Sequence, residues 1–122
     1  MVTINDIDLS DGVYDSAEIA VTEQFLTIQV QYTGINGDFE IIPLQANELY
    51  EEGVTDPDYD PIYDFKGNPI RYKVEHRDVP SGSKTFNLLD LNALIAKIQV
   101  RPIGGKYGAT EGIVNLIIKN TA

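Results

Sequence analysis

"FLTIQVQYTG", residues 25–34, decides the fold class. Leu26, Ile28, Val30 and Tyr32 alternate with Thr27, Gln29, Gln31 and Thr33. A period of two puts each set on its own face of a strand, apolar side chains inward and polar ones outward. "PIRYKVEHR" repeats the rhythm, with Ile70, Tyr72, Val74 and His76 opposite Arg71, Lys73, Glu75 and Arg77. "LIAKIQVRP" sets Leu94, Ala96, Ile98 and Val100 against Ile95, Lys97, Gln99 and Arg101. In "GIVNLIIKN" the inward set is Val114, Leu116 and Ile118, and Ile113 and Ile117 suggest cover on the second face as well.

Turn chemistry separates these runs. Asn36-Gly37 in "GINGD" (34–38) predicts a tight hairpin between two strands, because type I′ turns favour that pair. "FKGNPI" (65–70) predicts a second turn, with Pro69 at a strand start. "VPSGSK" (79–84) and "IGGKYGATEG" (103–112) read as loops, and Asp11-Gly12 as a turn before a first strand "VYDSAEIAV". "NLLDLNALIA" (87–96) allows one helical turn at most. Seven to eight short strands at this spacing imply one all-β domain over residues 1–122, an antiparallel β-sandwich of jelly-roll type or a barrel. Residues 1–12 alternate weakly and fit an edge strand, an arm pairing with a neighbouring subunit, or a frayed terminus.

Composition narrows the chemistry. A chain of 122 residues hides roughly two-thirds of its unfolded surface and needs no staple; it has no cysteine, so thiolate chemistry and Cys-based zinc sites are excluded. A net charge of −10 argues against nucleic acid or an anionic membrane as partner. No apolar run approaches the roughly 20 residues that span a bilayer. "MVTINDIDLS" has neither a basic n-region nor an apolar h-region, so no signal peptide is expected.

The acidic segment at 48–64 concentrates the chain's charge. Its core, "EEGVTDPDYDPIYD" (51–64), holds six of the nineteen Asp and Glu residues. Asp56, Asp58 and Asp60 stand at alternate positions, like the first ligands of a calcium loop. Counting from Asp56, the sixth position is Pro61 instead of Gly and the twelfth is Gly67 instead of Glu, so the EF-hand reading fails. A looser calcium site on Asp56, Asp58 and Asp60, with Asp64 as a further ligand, stands against a solvated loop stiffened by Pro57 and Pro61. No other cofactor is implied.

Tyr50, Tyr59, Tyr63 and Tyr107 fall in predicted loops or strand ends, where a ring offers contact area and a hydroxyl stays wet. With Asp56, Asp58 and Asp60 they make up the candidate binding residues. His76 is the single histidine and lies on the apolar face of its run, so it reads as a packed, hydrogen-bonded side chain. No catalytic residue is assigned: GxSxG, GxGxxG, Walker A and HExxH patterns are all missing.

The order of elements resembles a family. "IQVQYTGINGDFEIIPLQANE" is similar to the strand, Thr-Gly turn and strand of a discoidin-like β-sandwich found in bacteriophage virion proteins, with Thr33-Gly34 and Gly37 matching. Gln45-Ala46-Asn47-Glu48 replaces its usual small-polar ending. "GSKTFNLLDLNALIAKIQVRP" is similar to its later strand pair, and "GGKYGATEGIVNLIIKN" to its Gly-rich turn and last strand. The likeness covers residues 19 to 120. The 51–64 insertion is longer than the pattern, and the family's penultimate-strand Arg aligns with Gln99 or Arg101.

The resemblance implies a structural, non-enzymatic component of a phage particle: a capsid decoration, head–tail, tail or fibre protein. Its partners would be other virion proteins. The chain would be a homo-oligomer or present in many copies, made in the host cytoplasm and located in the virion. The alternative from another class is a carbohydrate-binding module, calcium-dependent or not, that uses the acidic, Tyr-bearing loop.

Overall fold

A computed structural model describes residues 1–23, 25–46, 59–75, 81–88 and 95–121, without the side chains of 88 and 121. The chain runs through β1 (Val2–Asp8), a 3-10 turn (Leu9–Asp11), β2 (Tyr14–Asp15), β3 (Ile19–Ala20), β4 (Phe25–Thr33) and β5 (Phe39–Ala46). It continues through β6 (Asp60–Pro61), β7 (Tyr72–Val74), β8 (Gly82–Leu88), β9 (Ile95–Pro102) and β10 (Ile113–Thr121). Sheet A has the order β1-β10-β4-β8. In sheet B, β9 and β5 are central, with β2 and β3 flanking β9, and β6 and β7 flanking β5. Every pairing between these strands is antiparallel.

The long central pairs carry the alternation read from the sequence. β4 and β10 pair over nine positions, and Leu26, Ile28 and Val30 face inward beside Val114, Leu116 and Ile118. β5 and β9 pair over eight, turning Phe39, Ile41, Ile98 and Val100 toward the same core. Tyr32 of sheet A meets Phe39 of sheet B edge-to-face, with ring centroids 5.9 Å apart. At another margin Tyr72 of β7 stacks on Phe86 of β8 at 4.4 Å, and its hydroxyl donates to the Asn87 carbonyl. The sandwich is therefore closed by aromatic contacts that join the two sheets.

The described residues contain ten strands, more than the seven or eight expected. β2, β3, β6 and β7 have only two or three residues each. β2, β3 and β6 are too short to show a period, whereas β7 lies in the alternating run "PIRYKVEHR"; each of the four pairs with a longer neighbour. "VYDSAEIAV" accordingly forms two pieces along β9. Asp15 pairs with Gln99 and Ile19 with Ala96, so one extra residue is inserted between them. Buried Ser16 fills the break: its Oγ accepts from the Ile98 amide at 2.9 Å, in place of a backbone carbonyl, and its own amide donates to the Ile98 carbonyl.

The Asn36-Gly37 hairpin does not form. β4 belongs to sheet A and β5 to sheet B, so residues 34–38 cross between sheets instead of turning within one. Neither Asn36 nor Gly37 has the positive φ that a type I′ turn requires. Asn36 serves a tertiary purpose: its Oδ1 accepts from the amides of Thr110 (2.8 Å) and Glu111 (3.1 Å), and its Nδ2 donates to Thr110 Oγ1. Gly37 is needed because a Cβ there would collide with the Gly108 backbone. Residues 82–84, read as loop, begin β8 and pair with β4. The first residues form an edge strand on β10, with a one-residue bulge between Ile4 and Ile7 where Asp6 takes φ 61 and donates its amide to Asn115 Oδ1. Ile113 and Ile117 are half-buried on the outer face of sheet A. His76 and most of "NLLDLNALIA" lie outside the described residues.

Two outcomes test this packing. Ser16→Ala leaves the buried Ile98 amide without its acceptor and should cost about 1–3 kcal/mol in urea denaturation; a change near zero would show that the ladder does not depend on this hydroxyl. Burial raises the Tyr72 hydroxyl above its ordinary value of 10.0. That contribution is whole below pH 10.0 and is lost as pH climbs through the higher folded-state value. Tyr72→Phe should accordingly flatten part of the fall in urea midpoint above pH 10.0.

Candidate functional site

β5 organises the region where the described candidate residues fall. Its outer edge is shared by two short partners: β7 pairs with residues 39–41 and β6 with residues 44 and 45. Buried Pro43 stands between them, where its missing N–H interrupts no ladder on that side among the described residues. From this gap the chain between β6 and β7 projects as a hairpin. Tyr63 bridges Pro69, and the Ile70 amide donates to the Ile62 carbonyl at 2.7 Å.

The tip is the three-residue loop Phe65-Lys66-Gly67. The Gly67 amide closes on the Asp64 carbonyl at 3.0 Å, and the Asp64 amide donates to the Asn68 carbonyl at 2.9 Å. Gly67 adopts φ 84, the left-handed conformation that ends such a loop. Asp64 locks the turn with its side chain, Oδ1 accepting from the amides of Lys66 and Asn68 at 2.9 Å each. This carboxylate, read as a further calcium ligand, is thus engaged by backbone donors.

Phe65 is 96% exposed at the tip and Tyr63 56% exposed on its flank, with Lys66 Nζ 5.8 Å from the Phe65 ring. A phenyl ring in water forfeits most of the roughly 2 kcal/mol that burial would return. Phe65 is missing from the residues singled out by sequence. Its signal was there: "DFKG" places Asp at the first and Gly at the fourth position of a type I turn, which forces Phe onto a corner.

The remaining candidates separate. Tyr59 is half-buried, and Lys97 of β9 holds its ammonium 4.5 Å from the ring centroid. It therefore belongs to the packing of sheet B's outer face. Asp60 is exposed in β6, opposite Gln45. Tyr107 is 68% exposed on the 103–108 turn, which is tied to the start of β5 because the Asp38 amide donates to its carbonyl at 2.7 Å. β7 lies between that turn and the hairpin tip. Tyr50, Asp56 and Asp58 lie outside the described residues, and among those described no three His, Cys, Asp or Glu side chains converge.

A second surface was unmarked by any motif. The outer face of sheet A presents rows in which Gln31 lies between Asn115 and Ser83, Gln29 between Ile117 and Thr85, and Thr27 between Lys119 and Asn87. Thr27 Oγ1 donates to Asn87 Oδ1 and Gln29 Nε2 to Ser83 Oγ, both at 3.2 Å. No carboxylate occurs in these three rows, although the chain has nineteen Asp and Glu residues.

Asp64→Ala removes the acceptor for two tip amides and should lower stability by about 1–2 kcal/mol while speeding amide hydrogen exchange at Lys66 and Asn68. Unchanged exchange at those two amides would show that the turn holds without the carboxylate.

No protein-family model matches this chain, and no curated protein matches it.

Proposed function

We propose that this chain is a non-enzymatic structural component of a bacteriophage particle, acting through protein–protein contact. The Asp64-locked hairpin is its docking element. The particle assignment comes from the resemblance of residues 19 to 120 to discoidin-like virion sandwiches. The contact mechanism is supported by one observation: Phe65, 96% exposed, stands on a turn whose carboxylate already binds two backbone amides. A pre-ordered tip loses little conformational freedom on docking, so more of the ring's burial energy appears as affinity. Tyr63 beside it supplies amphipathic contact of the kind that dominates interface energetics. The partner is another capsid or tail protein, bound by many copies of this chain, and neither nucleic acid nor membrane takes part.

The test is sedimentation with purified particles. The protein should co-sediment at fixed stoichiometry, and Phe65→Ser should reduce its occupancy without moving the melting temperature, since an exposed ring adds little to folding. Absence from particles would sink the virion reading. Saturable glycan binding that Tyr63→Ala abolishes, in a chain absent from particles, would instead establish the carbohydrate-binding alternative.

A further inference from the structure

We infer that Asn36 is a deamidation site, that folding holds its reaction off, and that the folded chain accepts one product and rejects the other. The inference is independent of the particle reading above. Asn36-Gly37 is the one Asn-Gly pair in the chain. Glycine has no side chain to shield its nitrogen, so this is the asparagine whose amide its own backbone attacks most easily. The Gly37 nitrogen gives up its proton and bonds to Asn36 Cγ, while the Cγ–Nδ2 bond breaks and ammonia leaves carrying that proton. Water then opens the cyclic imide at either carbonyl. One opening gives aspartate; the other gives isoaspartate, in which the main chain runs through the side-chain carbons. The asparagine of the hairpin tip, Asn68, precedes Pro69, whose nitrogen has no proton to release.

The fold opposes the first step. Ring closure needs the side chain to swing over the Gly37 nitrogen in a near-attack geometry. Here the amide is held from outside: Oδ1 accepts from the Thr110 and Glu111 amides at 2.8 and 3.1 Å, and Nδ2 donates to Thr110 Oγ1 at 2.6 Å. Attack therefore waits on an opening between the 34–38 crossing and the 110–111 turn. The backbone has no slack to help, since Gly37 is buried against Gly108 and Ile35 against Gly112.

The same contacts sort the products. Aspartate leaves the main chain unchanged, and one of its oxygens keeps both amides. The other accepts from the Thr110 hydroxyl, which can donate as well as accept. Isoaspartate adds a methylene to the main chain between Ile35 and Gly37, and both of these are set against the 108–112 turn. Asp38 is fixed there too, its amide donating to the Tyr107 carbonyl and its carbonyl accepting from Ile103 and Ala109. A link lengthened between such anchors cannot rebuild the crossing. Copies damaged while unfolded are thereby barred from the folded pool.

Peptide mapping by mass spectrometry tests this, on the full chain aged in mildly alkaline buffer and in urea above its unfolding transition. Deamidation at residue 36 should be about a hundredfold or more slower in the folded chain, because opening must break three hydrogen bonds. Thr110→Ala removes the acceptor of Nδ2 and should speed the folded-state reaction by about tenfold, with the rate in urea unchanged. After ageing in urea and refolding, the refolded fraction should carry asparagine and aspartate at position 36. Isoaspartate, detected by isoaspartyl methyltransferase labelling, should be confined to the fraction that fails to refold. Asn36→Asp, which mimics the accepted product, should fold to the parent's near-ultraviolet circular dichroism spectrum. Equal rates in the folded chain and in urea overturn the proposal, as does a Thr110→Ala chain that reacts no faster than its parent. So does isoaspartate at position 36 in the refolded fraction, or an Asn36→Asp chain that does not fold.

Discussion

The molecule depends on one buried layer, where β4 and β10 of one sheet face β5 and β9 of the other. Leu26, Ile28, Val30, Leu116, Phe39, Ile41, Ile98 and Val100 are all fully enclosed in it. Each such side chain contributes about 1.5–3 kcal/mol on burial, which no surface contact in this chain can match. The ion pairs Arg71–Glu40 at 3.3 Å and Lys73–Asp38 at 3.6 Å join half-exposed cations to largely buried carboxylates, so water still screens one side of each. The short strands β2, β3, β6 and β7 flank only sheet B, whereas the edge strands of sheet A, β1 and β8, run for seven residues each.

Where the ladders break, side chains take over the backbone's bonding. Ser16 accepts from Ile98 at the break between β2 and β3, and Asn115 accepts from Asp6 at the β1 bulge. Asn36 accepts from Thr110 and Glu111 at the crossing between sheets, and Asp64 from Lys66 and Asn68 at the hairpin tip. In all four places a short polar side chain satisfies amides that have no strand partner. Asn36 and Asp64 also fix the shapes of loops that carry exposed side chains.

Three of the central strands were legible because a buried face imposes a period of two over eight or nine residues, as in β4, β9 and β10, whereas β5 buries Ile41, Ile42 and Pro43 in succession. The turn at 65–70 was legible from its Gly and Pro, while the corner position of Phe65 depends on Asp64 opening the turn one residue earlier, as "DFKG". Asn36-Gly37 misled for a physical reason. The pair permits a type I′ turn but does not require one, and the sandwich needed a crossing there. The three carboxylate-free rows that cross β10, β4 and β8 carry no motif. They come into being only when three strands distant in sequence are set side by side.

From its sequence alone this chain is an acidic, cysteine-free, all-β protein, with the inward residues of its long strands specified by alternation. That much is local, because side-chain direction follows from strand geometry wherever a strand forms. Tertiary structure decided which strands share a sheet, that residues 34–38 cross between layers, and that Asp64 holds Phe65 in solvent while Tyr59 lies against Lys97. It also decided that Gln29, Thr85 and Ile117 become neighbours. Those outcomes depend on pairings between residues tens of positions apart, and such pairings are chosen by the total burial of the core, which no short stretch of sequence contains.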